Sequence, residues 1–198
     1  MPVDAQRILS GAPDQLTTGA ILSAPMATAV PDDEDVYAGD FSGFASSGYV
    51  SEDGLALSLS KSFETIKDWS GAIVKRILSE FDGTIKYTHL ELSEFSLKDT
   101  FGDANVAVTA ATESHGTQFK VSIGAVDLPT KRYAFKMKDG LAKVVIVVPA
   151  GTPTEVDEIP FKKTDAIKLG ITLGCQPDAA GNVLYLYLDD GVVAVAGP

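Results

Sequence analysis

Residues 132–148 read RYAFKMKDGLAKVVIVV, and this stretch decides the fold. Tyr133, Phe135 and Met137 alternate with basic or small neighbours. This period of two is typical of a strand with one buried face. The pair Asp139-Gly140 follows, which is a strong signal for a tight hairpin turn. The apolar run 144–148 then has the length of another strand, so the stretch predicts two strands joined by a hairpin.

Similar runs continue on both sides of this hairpin. Each is short, has period two and is bounded by turn residues, including the turn 177–182 before the last strand. The runs are 55–60, 73–78, 85–89, 106–110, 118–123 and 167–173. Regularly spaced short strands predict an antiparallel β-sandwich or barrel.

One helix is predicted from Ser93 to Phe101. Ser93 can accept a hydrogen bond from the free amides of the first turn. Leu92 and Leu97 have the spacing of a hydrophobic staple, and Gly102 can end the helix in the left-handed conformation. The fold class is therefore mainly β with one helix packed on the sheet.

The N-terminal segment, residues 1–45, differs from the rest of the chain. It holds seven acidic residues and one base, against twenty acids and fifteen bases in 46–198, and is rich in small residues. We expect an extended arm with little core of its own and one short strand near 19–24, followed by a β-rich domain over 46–198. The acidic run 32–35 indicates a solvated loop rather than a calcium site, because it lacks the spaced ligands of an EF-hand.

Composition excludes several classes of function. The formal net charge of -11 argues against tight binding of nucleic acid, which needs basic side chains against the phosphates. The chain has no apolar run of membrane-spanning length and its N-terminus does not resemble a signal peptide, so we expect a cytoplasmic product. The single cysteine, Cys175, lies in an apolar stretch and is expected to be a small buried residue.

Motifs for catalysis, metal binding and cofactor binding are not found in the sequence. His89 continues a strand face, which predicts a satisfied strand residue, and His115 lies between two predicted strands, which predicts a hairpin tip. We therefore predict no catalytic, metal or cofactor site. Trp69 stands among polar neighbours, and two interpretations of it stay open: a core anchor, or an exposed aromatic at a protein contact.

An ordered set of motifs resembles the tail tube proteins (major tail proteins) of long-tailed, non-contractile bacteriophages of the actinobacteriophage type. The segment 48–54 (GYVSEDG), a strand and then 66–71 (IKDWSG) are similar to the opening of that family, and 19–25 to its arm. A strand at 83–92, a helix, Phe101-Gly102-Asp103 and the last hairpin around 167–182 follow in the family's order. Cys175 stands where the family commonly has an aromatic residue.

The resemblance implies a structural virion protein and not an enzyme. It implies self-assembly into stacked hexameric rings that form the tail tube, a conduit for DNA ejection, with DNA passing without specific binding. Further implied partners are the tape measure, tail terminator and distal tail proteins, with no cofactor and no membrane. The loop Ser62 to Ala72 is implied to stack on the adjacent ring, through Phe63, Ile66, Lys67, Asp68 and Trp69.

An alternative from another class stays open on the strand pattern alone. An adhesin-like β-sandwich on a virion or cell surface has the same periodicity, but it predicts a monomer or small oligomer with a ligand surface. The tube hypothesis predicts stacked rings, which electron microscopy distinguishes.

Overall fold

The computed structural model describes residues 8–14, 19–125 and 127–192. Within these ranges the chain is mainly antiparallel β-sheet, which confirms the predicted fold class. The strands are β1 (Ile21–Pro25), β2 (Ala45–Ser46), β3 (Val50–Lys67), β4 (Ile73–His89), β5 (Val106–Thr109), β6 (Gln118–Val121), β7 (Lys131–Asp139), β8 (Ala142–Val156), β9 (Leu169–Gln176) and β10 (Tyr185–Asp189). The helices are α1 (Asp33–Ala38), α2 (Glu94–Phe101) and a 3₁₀ turn, Asp103–Asn105.

One main sheet follows the order β2-β1-β7-β8-β9-β4-β3, with β10 also paired to β8. The predicted β7–β8 hairpin is confirmed, because Asp139 pairs with Ala142 and leaves Gly140 and Leu141 as a two-residue turn. Gly140 has φ 60°, a conformation that favours glycine at the first position of such a turn.

Strand β8 carries two partners in succession along one edge. Strand β7 occupies its other edge, while β9 pairs with residues 150–156 and β10 with residues 143–147. The strands β9 and β10 are therefore not a hairpin, which corrects the expected last hairpin. The turn 177–182 connects them as predicted, but β10 continues along β8 where β9 ends.

The β1–β7–β8 layer is buried on both faces. One face packs Tyr133, Phe135 and Ile146 against residues of β4 and β9, including Ile85 and Ile171. The opposite face packs other residues of the same strands under α1, in the cluster Leu22, Val36, Phe41, Ala134, Val145 and Val147. Alternation along each strand produces this division.

Part of the N-terminal segment belongs to the core, which corrects the expectation of an arm with little core of its own. The strand predicted near 19–24 is β1, and it pairs with β7. Val36 and Phe41 are also buried. The acidic run is solvated as expected but is not a loop: Asp32 caps α1 by accepting from the Asp35 amide, and acids in the first turn suit the helix dipole. The boundary at residue 45 stays a prediction.

The predicted helix is α2, and Ser93 caps it through a capping box with Ser96. Gly102 ends the helix with a positive φ of 88°, but its ψ of 146° is extended and not the left-handed conformation expected. After α2 the chain forms a small separate sheet of β5 and β6, with His115 in the loop between them as predicted.

Two of the predicted runs merge into one long strand. The runs 73–78 and 85–89 are both part of the seventeen-residue β4, which pairs with the eighteen-residue β3. Strand β9 pairs only with Gly83–His89, so the rest of the β3–β4 pair has no third strand beside it. Cys175 lies in β9 and is buried, as predicted, and burial raises the pKa of its thiol to about 11.

Candidate functional site

The β3–β4 pair projects from the body of the protein as a two-stranded ribbon. Every residue from 58 to 82 is exposed, whereas Gly83, where β9 begins to pair, is buried. We call residues 58–82 the ribbon. A two-stranded ribbon without a third layer has marginal stability in water, so its exposure needs an explanation from function.

The ribbon contains all five of the residues implied to stack between rings. The predicted loop was too long, because Phe63, Ile66 and Lys67 continue β3 and only 68–72 form the turn. Asp68 and Trp69 lie in that turn. Trp69 has a relative exposure of 105%, so it is not a core anchor.

Hydrogen bonds centred on Asp68 fix the turn that presents Trp69. The Asp68 carboxylate accepts from the Ser70 hydroxyl at 2.7 Å and from the Ala72 amide at 2.9 Å. Both bonds lower the pKa of the Asp68 carboxyl, and the bond from the Ser70 hydroxyl has the larger effect. Gly71 completes the turn with φ 86°. Trp69 is thus displayed at the end of the ribbon by a defined local structure.

The strand register divides the ribbon into two faces. Leu59 lies opposite Gly83, Lys61 opposite Phe81 and Phe63 opposite Leu78. These residues continue the face on which Leu57 and Ile85 pack in the core. A face that would be core-forming therefore extends into solvent along the ribbon.

Charged residues are sorted between these two faces. One face consists of Phe63, the residues that alternate with it along β3, and their partners on β4. This face holds the bases Lys61, Lys67 and Arg76 and no acid. We call it the basic apolar face. The other face, the polar face, holds Ser58, Ser60, Ser62, Glu64, Glu80, Asp82 and Lys75, with Ile66 and Ile77 near the tip. The predicted stacking residues Phe63 and Ile66 thus point to opposite sides of the ribbon.

A buried polar cluster that the sequence did not predict holds α2 on the sheet. Asp99 on α2 accepts from the Tyr87 hydroxyl at 2.7 Å and the Tyr133 hydroxyl at 2.9 Å. Nε2 of His89 lies 3.1 Å from the same carboxylate. Burial, followed by the charge of Asp99, raises the pKa of both tyrosines well above the usual value. All four side chains are buried, and we assign the cluster a structural role.

His89 lies in β4 as predicted, but it is only partly satisfied. Among the described residues its Nδ1 atom finds no hydrogen-bond partner. The spacing of Tyr87, His89 and Asp99 along strand and helix could have indicated contact, but only after the helix had been placed on the correct sheet face.

Other kinds of site are limited by two observations. Within the described ranges, no group of three or more His, Cys, Asp or Glu side chains could hold a metal ion. Neither α-helix there has the length and apolar character needed to cross a bilayer.

Comparisons with known proteins add the following. The family model described as "Phage tail tube protein" matches residues 12–197. A solved structure of the anti-feeding prophage cap, which terminates a tube, is similar over 94% of this chain and 97% of its own, with 9% identity and a TM-score of 0.45. The PVC sheath–tube complex of an extracellular contractile injection system is similar over 94% and 99%, with 10% identity and a TM-score of 0.39. No curated protein sequence matches the chain.

Proposed function

The chain belongs to the phage tail tube protein family, and from this premise we propose that it assembles into stacked hexameric rings that form the tail tube. The family is one of structural tail components, so the chain is a structural protein of the phage tail and not a member of an enzyme family. We further propose that the tube serves as the conduit for DNA ejection.

The exposed ribbon is the observation that carries this proposal. Residues 58–82 are exposed throughout and include seven large apolar side chains with relative exposures near or above one half. They are Leu59, Phe63, Ile66, Trp69, Ile73, Val74 and Leu78. Exposed apolar side chains gathered along one element are typical of a protein–protein interface. Self-assembly would bury them.

The open edges of the sheet also support a ring. Strands β3 and β2 end the main sheet path in the described part of the chain. Exposed edges of this kind invite pairing with another chain. If the edge of each subunit paired with the next around a ring, the sheets would close into one barrel and remove the edges.

We propose that the polar face of the ribbon lines the tube lumen. It is rich in serine and carries Glu64, Glu80 and Asp82 against the single base Lys75. Duplex DNA carries one negative charge per about 1.7 Å of its axis. An acidic, hydroxyl-rich wall would repel the phosphates, so DNA would pass without specific binding.

We propose that the tip of the ribbon stacks on the adjacent ring through Phe63, Ile66, Lys67, Asp68 and Trp69. Trp69 supports this best, since it is fully exposed in the subunit and the Asp68 hydrogen bonds hold its turn. Tryptophan is enriched among residues that dominate binding at protein interfaces.

The remaining parts of the proposal follow the family resemblance. We propose residues 1–45 as an arm that contacts a neighbouring copy, although β1, Val36 and Phe41 are held by the subunit's own core. The division into this arm and a tube domain over 46–198 rests on composition. We also propose a long-tailed, non-contractile virion, synthesis in the host cytoplasm, and contacts with the tape measure, tail terminator and distal tail proteins.

Negative-stain electron microscopy of the purified protein tests the proposal, with the tail-tip proteins added if the protein alone stays monomeric. We expect hollow tubes or six-fold rings, and Trp69→Ala should shorten the tubes while leaving the thermal unfolding of the subunit unchanged. Phe161→Ala is the matched control, because Phe161 is an exposed aromatic in a loop outside the ribbon. A monodisperse monomer under all these conditions would refute the tube, and loss of folding in Trp69→Ala would refute the stacking role.

A further inference from the structure

The basic apolar face of the ribbon has a chemical complement elsewhere on the same chain. Strand β10 is paired with β8 on one edge, and Leu186 and Leu188 lie opposite Ile146 and Val144. Both leucines are exposed, although their partners belong to or adjoin the core face. The body of the subunit therefore also exposes apolar side chains that continue the face of the buried core.

Acidic residues border these leucines. Asp190 follows Leu186 and Leu188 in the same alternation, and Asp139 lies on the same face at the end of β7. Asp139 and Asp190 line one groove of about 390 Å³, together with Leu141. We call Asp139, Leu186, Leu188 and Asp190 the β10 patch.

Among the residues that the structure describes, the two bases next to this patch along β7 and β8, Lys138 and Lys143, lie on the other side of the sheet. Lys138 pairs with Lys143, and this pair is adjacent to the Met137–Val144 pair along the strands. Because successive side chains alternate between faces, the two lysines lie on the face opposite to the patch. Lys143 also donates to the Tyr37 carbonyl oxygen at 3.0 Å. The β10 patch is thus apolar and acidic, whereas the ribbon face is apolar and basic.

We propose that the basic apolar face of one subunit's ribbon packs on the β10 patch of a second copy. This inference rests on the proposed self-assembly and names the two surfaces that meet. Leu59, Phe63, Leu78 and Phe81 would cover Leu186 and Leu188, while Lys61 and Arg76 would lie near Asp139 and Asp190. Opposite charges around an apolar centre favour one orientation of the contact over others.

The ribbon's own geometry points to a second copy as the occupant. In the subunit no residue of 58–82 is buried, so the ribbon does not cover the patch of its own body. The ten residues from Ser58 to Lys67 span about 30 Å, and the five of β10 about 15 Å, at the usual rise per residue. The ribbon is therefore long enough to cross β10 of a neighbour and still present Trp69 beyond it.

Cross-linking between two different copies tests the contact. In a Cys175→Ala background, Phe63→Cys in one preparation is mixed with Leu188→Cys in another that carries a mass tag, and a short bis-maleimide is added during assembly. We expect about fivefold more mixed dimer than with Ser62→Cys, because docking raises the effective concentration of the paired thiols. Ser62 is the matched control, since it adjoins Phe63 in sequence but lies on the polar face. Equal yields from both mixtures would refute the proposal.

Charge reversal provides a second, independent readout. Arg76→Glu and Asp190→Lys should each raise the protein concentration needed for assembly about tenfold, and the double variant should recover most of that loss. The controls are the adjacent Lys75→Glu and Asp189→Lys, which reverse charges on the opposite faces. If the double variant instead needed a concentration raised by the product of the two single effects, the proposed pairing of Arg76 with Asp190 would be overturned.

Electron microscopy of the same samples separates this inference from the proposed function. Tubes without the Phe63–Leu188 cross-link would refute the docking surface and leave the tube standing. Absence of rings and tubes in the unsubstituted protein would refute the proposed function itself.

Discussion

Replacing Asp99 with alanine should destabilise the subunit strongly, because this carboxylate is the shared acceptor of a buried cluster. Asp99 is 2% exposed and accepts hydrogen bonds from Tyr87 and Tyr133, with His89 at 3.1 Å. Alanine would leave two hydroxyls and one imidazole nitrogen without this partner in the interior. It would also remove the hydrogen bonds that link α2 to β4 and β7.

The magnitude follows from the number of lost partners. A buried polar group left unsatisfied costs about 1–3 kcal/mol, so three such groups cost about 3–9 kcal/mol. Removing a carboxylate that was itself desolvated offsets part of this loss. We expect a net destabilisation of about 4 kcal/mol, which for a chain of this size lowers Tm by about 10 °C.

Thermal unfolding followed by circular dichroism and calorimetry measures the change. Asp103→Ala is the control, because Asp103 lies just after α2 and its own side chain is 56% exposed in the ion pair with Lys131. That control should cost no more than about 1 kcal/mol. A Tm for Asp99→Ala within about 2 °C of the parent would show that the cluster does not hold α2.

Three further predictions concern single side chains. Burial, and after it the charge of Asp99, raises the pKa of Tyr133 in the folded protein above the ordinary value of 10.0. The protonated hydroxyl therefore contributes fully to the free energy of unfolding below pH 10.0, and this contribution is lost as the pH rises from 10.0 through the higher pKa of the folded state. Tyr133→Phe should therefore flatten the alkaline loss of stability in denaturant titrations, and an unchanged slope would contradict this. Cys175, with a thiol pKa of about 11, should react slowly with a thiol reagent at neutral pH until the protein unfolds, and rapid reaction of the native protein would show that it is accessible. Trp69 fluorescence should resemble that of free tryptophan in the subunit and shift to shorter wavelength on tube formation; no shift would place Trp69 outside the contacts.

The strands could be predicted well because alternation is a local signal. The β7–β8 hairpin and the cap of α2 by Ser93 are both specified by residues close in sequence. The path of β10 could not be predicted, since it depends on β9 ending at Gln176 and leaving the edge of β8 free. Helix α1 was missed because its capping acids resemble a solvated loop in composition.

The candidate site was only partly predictable for a similar reason. The resemblance indicated the region around Trp69, and the structure places that residue at the tip of the ribbon. The exposure of the ribbon depends on the point where β9 stops pairing, at Gly83, which no local pattern in β3 or β4 reveals. The division of its charges between two faces depends in turn on the strand register.

The bases on the basic apolar face have a consequence before any tube exists. Newly made subunits must accumulate without aggregating. An exposed apolar strand promotes aggregation through β-pairing with other chains. Lys61 and Lys67 interrupt the apolar run of β3 on that face, and Arg76 interrupts it on β4. Two ribbons that met with these faces together would bring like charges into contact. We therefore expect this repulsion to oppose association of free subunits through these faces, while each face stays available to a surface of opposite charge.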